Sequence, residues 1–199
     1  MKIEHVEVLV EERSMEVLLA QLLPRLLPGT SFQIHPHQGK PDLLAKLPGK
    51  LLAYARWIPP TWRILVVTDR DDEDCMRLKA QLDDVSRDLR TSPGADRVVL
   101  NRLAIEELEA WYFGDWRAVR KAYPKAPAGI PAQAKYRSPD EIRGGTWEAF
   151  ERVLQEAGYF VGGLRKIEAA RAISSHMEPA RNTSPSFRAL RDALARWVE

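Results

Sequence analysis

The feature that most constrains this chain is an alternation of two hydrophobic periods over its first 123 residues. His5-Val6-Glu7-Val8-Leu9-Val10 is short, apolar and rich in β-branched residues, the pattern of a strand. A helical period follows, with Ser14 as its expected cap. Val17, Leu18, Leu22 and Leu26 recur at three and four, and Pro28-Gly29 stops the run near Leu27. The alternation then repeats. Ser31 to His35 reads as a weaker strand. Pro41 to Trp57 reads as a helical region, interrupted at Pro48-Gly49 and ended by Pro59-Pro60. Arg63 to Thr68 is the clearest strand, Glu73 to Leu89 a helix, Arg97 to Leu100 a fourth strand and Ile105 to Tyr123 a fourth helix. Strands separated by helices of this length are joined by crossovers. The expected fold class is therefore α/β, a mostly parallel sheet flanked by helices.

The character changes after Tyr123. Residues 124–145 carry four prolines and three glycines among basic residues and read as a long loop. Two helical stretches follow, Thr146 to Ala157 and Arg165 to Ser175. A polar turn, Pro179 to Pro185, leads into a last amphipathic helix, Ser186 to Val198. The expected organisation is an α/β core over 1–123, with a basic loop and helical extension over 124–199 packed on it. Charge divides in nearly the same place. Residues 1–115 hold 15 Lys/Arg against 19 Asp/Glu, and residues 116–199 hold 15 against 9. The net charge of +2 averages an acidic front and a basic back. Of the basic residues 21 are Arg, the better bidentate phosphate ligand.

Several classes are excluded. A single cysteine, Cys75, rules out an internal disulfide, and no Cys/His cluster has zinc spacing. No apolar run is long enough to span a bilayer, and Met1 to His5 lacks a signal-peptide core, so the expected location is cytoplasmic. There is no Gly-x-x-x-x-Gly-Lys loop, so any ATP use would come from another protein.

The acidic residues fall where chemistry is expected in such a fold, at the carboxyl ends of strands. The first strand runs into Glu11-Glu12. The third runs into Asp69-Arg70-Asp71-Asp72-Glu73-Asp74. The fourth is followed by Glu106, Glu107 and Glu109. If strands one, three and four are neighbours, these carboxylates converge on one rim, where they repel unless a cation neutralises them. Hard oxygen ligands suit Mg²⁺ or Mn²⁺. Acidic residues also cap helices and complement their dipoles, which would account for any one of these segments taken alone.

Glu11 after Val8-Leu9-Val10, and Asp69-Arg70-Asp71 after the third strand, resemble the Glu and Asp-x-Asp pattern of the Toprim domain. That Rossmann-like fold is shared by topoisomerases, primases and nucleases of the overcoming-lysogenization-defect type. The likeness extends further, through residues 10–16, 69–75, 107–115 and Ser184-Pro185-Ser186-Phe187. These resemble a Toprim-like family of bacterial proteins of about this length, often encoded beside an ABC-type ATPase in defence-type loci. Two departures stand out. Glu12 occupies a position where the family usually has Gly, and Asp72, Glu73 and Asp74 offer several choices of further acid.

The resemblance implies a Mg²⁺- or Mn²⁺-dependent nuclease, the effector of a partner ATPase in phage defence. Asp69 and Asp71 would hold metal and Glu11 would act as general base, general acid or bridging ligand. Glu107 is the favoured third ligand, by its match to Glu-Leu-Glu-Ala-Trp. Glu12, Asp72 and Glu109 are secondary candidates. The five tyrosines occupy no recognisable nucleophile motif, so water is the expected nucleophile. Lys121, Lys125, Lys135, Arg137 and Arg143 could track a nucleic-acid backbone without reading its sequence. The alternatives are a non-catalytic module binding nucleic acid or the ATPase, and phosphoryl chemistry on a nucleotide. Trp147, Tyr159 and Phe160 read as core, His176 as structural, and His35 and His37 lack a third ligand. Cys75, among acids that raise a thiol's pKa, is a poor nucleophile.

Overall fold

A computed structural model describes residues 2–70, 74–87, 99–105 and 107–198. Asp71, Asp72, Glu73, Glu106 and the Arg97-Val98 start of the expected fourth strand lie outside the described residues. The chain folds as an α/β protein around a four-stranded sheet in which every pairing is parallel, a Rossmann-like arrangement. The strands are β1 (His5–Val10), β2 (Ser31–Pro36), β3 (Trp62–Asp69) and β4 (Val99–Ala104), in the spatial order β2-β1-β3-β4. β1, β3 and β4 are thus neighbours. Val10 lies opposite Val67, and Asp69 opposite Ala104, so the three strands end together.

Alternation along the strands sends residues to two different cores. Leu9, Ile64 and Val66 join α2 (Lys40–Ala55) and α3 (Cys75–Val85) on one face. Val6, Val8, Val10, Leu65 and Val67 face the other. There they share one continuous apolar cluster with α1 (Arg13–Leu26), α4 (Glu109–Gly114), α5 (Trp116–Ala122), α6 (Thr146–Glu156), α7 (Lys166–Ser174) and α8 (Pro185–Ala195). The back half is therefore built into the core beneath the sheet.

Four local expectations are corrected. The N-cap of α1 is Glu12 rather than Ser14, whose hydroxyl donates instead to the Glu12 carboxylate. α2 runs unbroken through Pro48-Gly49, because Leu43, Leu47, Leu51 and Tyr54 form one buried stripe while Pro48 is exposed. β4 extends to Ala104, since the polar Asn101 is paired inside, donating to Asp83 and Ser86. The expected helix 105–123 is two helices. Asp115 breaks it by capping α5 through the Ala118 N–H, and the carboxylate is also claimed by Arg181 and the Glu178 N–H. The 124–145 loop holds three short 3-10 turns. Among the described residues no helix is long and apolar enough to cross a membrane.

Candidate functional site

Glu11 follows β1, and its Oε2 accepts from the Thr68 hydroxyl at 2.6 Å and from the Asp69 N–H at 3.1 Å. Two strand ends are thereby stitched together through one carboxylate oxygen. Asp69, the last residue of β3, is buried. Beyond β4, Glu107 reaches across to the start of α6. Its Oε2 accepts from the Thr146 hydroxyl at 2.9 Å and from the Trp147 N–H at 2.8 Å, so one oxygen caps that helix. Its other oxygen carries no such duty.

Glu109 is placed differently. It opens α4, is only 1% exposed, and its Oε2 is buried with no hydrogen-bond partner among the described residues. Burial pushes its carboxyl up to about 7, with Glu107 and Glu12 raising it further and Lys166 opposing. Lys166 opens α7, where the helix dipole disfavours a cation. Burial alone would lower its pKa, but Glu109, Glu12, Asp69 and Glu107 together hold it above its ordinary value. The Tyr112 hydroxyl is buried beside the same acids, and burial followed by Glu109, Asp69 and Glu12 pushes it well up. These mutual influences place Glu12, Asp69, Glu107, Glu109, Tyr112 and Lys166 in one electrostatic unit at the strand ends.

The rim extends toward β2 through His37. Its Nδ1–H donates to the Val10 carbonyl at 2.8 Å, and burial lowers its pKa. Lys40, at the start of α2, donates to the Arg70 carbonyl at 3.0 Å and fixes the chain just past Asp69.

The sequence-predicted acids separate accordingly. Glu11 is joined to Asp69 through the Asp69 N–H, and Glu12, Asp69, Glu107 and Glu109 all lie near enough to act on the charge of Lys166; Asp71 and Asp72 lie outside the described residues. Asp74, at the end of the same acidic run, caps α3 by accepting from the Arg77 N–H. Among the described residues no three His, Cys, Asp or Glu side chains form a ready-made cage for a metal ion. The donor chemistry nonetheless fits a hard divalent cation: carboxylates that act on one another across the strand ends, with a buried Glu109 oxygen that has no hydrogen-bond partner among the described residues.

The remainder of the 107–115 stretch is structural. Trp111 stacks edge-on against Phe187 at 5.3 Å, and its indole N–H donates to Ser186. The Asn182 amide donates to the Trp111 carbonyl, and Asp140 accepts from Ser184 and from the Ser186 N–H. Of that stretch, Glu107 and Glu109 reach the rim, while Trp111, Gly114 and Asp115 clasp the segment that starts α8.

Residues 10–195 match the family described as Domain of unknown function (DUF4276). The chain belongs to the DUF4276 family. No curated protein and no solved structure matches it. The DUF4276 match begins at the last residue of β1 and ends at the last residue of α8, so it takes in every acid of the rim and Lys166.

Three of the five predicted basic residues line one of two cavities, and Lys125 and Arg137 line neither. A cavity of about 1100 Å³ begins at Arg70, the residue after Asp69. It is lined further by Lys135, Arg143 and Arg152, with Asp74 and Glu141. Lys121 lies elsewhere, with Arg117, Arg120 and Arg181 around a separate cavity of about 420 Å³. Arg137 donates to the Ala132 carbonyl within its own turn, and the Lys125 N–H donates to the Tyr159 hydroxyl. Sequence reasoning missed Lys166, Tyr112 and Arg152. Lys166 alone left a signal, a cation at a helix start, opposed to the dipole.

Proposed function

We propose that this DUF4276 protein is a Toprim-like, Mg²⁺- or Mn²⁺-dependent nuclease. The observation that carries the proposal is the placement of Glu11, Glu12, Asp69, Glu107 and Glu109 around adjacent strand ends, beside a large cavity whose lining mixes Arg70, Lys135, Arg143 and Arg152 with Asp74, Asp140 and Glu141. Carboxylates so placed suit a hard cation, and the four Arg and Lys side chains of the cavity could meet the phosphates such a cation would act on.

Asp69, Glu107 and Glu109 would hold the metal, with Asp71 as a further ligand by its match to Asp-x-Asp. A bound divalent ion supplies charge stabilisation at a phosphodiester and an acidified water. The protein's own groups do the rest. Glu11 keeps one oxygen on Thr68 and Asp69 N–H, which fixes its orientation to take or return a proton. Lys166 places a positive charge among the carboxylates, where it lowers their repulsion and can meet a phosphate oxygen. Arg143 and Arg152, both exposed, would hold the flanking strand by its backbone.

The test is cleavage of a panel of single- and double-stranded DNA and RNA with Mg²⁺ or Mn²⁺, comparing wild type with Asp69→Asn. It should be run with and without an ABC-type ATPase encoded alongside, the expected partner in a defence role. Metal-dependent cutting lost in Asp69→Asn supports the reading; equal cutting by both proteins refutes it. One observation favours a second reading, a module that binds nucleic acid or the ATPase without catalysis. Lys166 already gives the acidic centre a resident cation. Under that reading the wild type binds the panel but leaves it uncut with either metal, ATPase present or absent.

A further inference from the structure

Arg117, Arg120 and Lys121 lie on one short helix, α5, and Arg181 comes from the connection between α7 and α8. Together with Pro124 they line the cavity of about 420 Å³, and among the described residues no carboxylate lines it. It shares no residue with the Arg143 cavity or with the acidic centre. α4 stands between, with Glu109 at its first residue and Asp115 just past its last.

Two of the cations are held in place. Arg181 Nε and Nη2 donate to the two oxygens of Asp115 at 2.7 and 2.8 Å, and the Asp115 side chain is fully buried. Arg120 Nε donates to the Ala126 carbonyl at 3.2 Å. Each guanidinium keeps further N–H groups for a ligand. Arg117 and Lys121 are exposed.

The spacing argues against a merely solvated surface. Arg117 precedes Arg120 by three and Lys121 by four, the separations at which helical side chains are neighbours and like charges repel. Cations in the last turn of α5 complement its dipole, which accounts for Arg120 and Lys121. It does not account for Arg117, in the first turn; Arg181, brought in from another segment, is fixed there by its pair with Asp115 and presents its remaining N–H groups to the cavity. An anion seated among the four relieves the repulsion, and anchored guanidinium groups match the geometry of phosphate oxygens.

We propose that this cavity is a second anion site that binds a phosphate ester, either a segment of nucleic-acid backbone distant from the acidic centre or a free nucleotide. The proposal stands whether or not the acidic centre cuts nucleic acid.

The test is equilibrium binding by the full chain in EDTA, using a labelled single-stranded oligonucleotide and, separately, AMP. Wild type is compared with Arg117→Glu/Lys121→Glu and with Arg143→Glu. The charge-reversed pair should weaken binding of at least one probe by about tenfold or more. For the oligonucleotide the slope of log affinity on log salt should fall by about 1.4, two contacts at about 0.7 each. Loss of AMP binding identifies a small phosphate ester; loss for the oligonucleotide alone identifies a strand. Unchanged binding of both probes overturns the site. If only Arg143→Glu weakens binding, this site falls while the proposed nuclease groove survives. If the panel is never cut but the pair loses binding, the nuclease reading falls and this site survives. Thermal unfolding monitors folding, and if the reversed pair does not fold, Arg117→Gln/Lys121→Gln is read in its place by the same criteria.

Discussion

Replacing Glu109 by Gln tests the acidic centre through stability, with no assumption about catalysis. Glu109 is buried and its Oε2 has no hydrogen-bond partner among the described residues, so its ionised form is disfavoured in the folded protein. Its carboxyl rises from the ordinary 4.5 to about 7. At about 1.4 kcal/mol per pH unit, that difference is worth about 3 kcal/mol. The direction follows from proton counting. Below pH 4.5 the folded and unfolded chains are both protonated at this residue, and it costs nothing. Between 4.5 and 7 the unfolded chain releases its proton while the folded chain keeps it, so stability falls as pH rises. Above 7 the loss is complete. A glutamine side chain in its place mimics the protonated form at every pH. Denaturant unfolding in EDTA should therefore find wild type and Glu109→Gln similar near pH 4.5, with the variant more stable by about 2–4 kcal/mol at pH 8. In a chain of this size that is a rise of roughly 5–15 °C in melting temperature. If the two proteins lose stability in parallel from pH 4.5 to 8, Glu109 is not the buried, proton-holding carboxyl described above.

Three further outcomes follow from particular contacts. Under the proposed function Mg²⁺ should stabilise the protein in thermal unfolding, and by more in Lys166→Met, which removes the resident cation from the carboxylates. Gly114→Ala should destabilise the fold by about 1–3 kcal/mol or more, because a Cβ there meets the Asn182 side chain and the Ser184 backbone nitrogen, the latter at 2.8 Å. Its unfolding midpoint in urea measures the loss. Pro48→Ala should stabilise by about 1–3 kcal/mol, since Pro48 is exposed inside α2 and denies that helix one backbone donor. An unchanged midpoint in urea would show that the ring's constraint on the unfolded chain offsets the missing bond.

Much of this architecture is written locally. The strands β1 and β3 follow from runs of apolar, β-branched residues, β2 from a weaker alternation around Phe32 and Ile34, and the first two runs set Glu11 and Asp69 at strand ends. That β1, β3 and β4 end side by side is decided by the strand order β2-β1-β3-β4, which local pattern leaves open even once the sheet is parallel. Boundaries that depend on distant partners were not legible. α2 continues past Pro48 because its apolar stripe is buried against the sheet, which a local count of helix breakers does not weigh. The break at Asp115 depends on Arg181 and on the backbone of Glu178, both far along the chain.

The candidate site divides in the same way. The sequence by itself determines which acids follow strands, because hydrophobic periodicity is a property of neighbouring residues. Only the tertiary structure decides that Glu109 is sealed from water, that Glu107 spends one oxygen on the start of α6, and that Lys166 enters the acidic centre. It also decides that Lys135 and Arg143 line one cavity and Lys121 another, while Lys125 and Arg137 line neither. Burial and Coulomb interactions depend on distances in space, and those are set by how α4, α6 and α7 pack beneath the sheet, not by the spacing of residues along the chain.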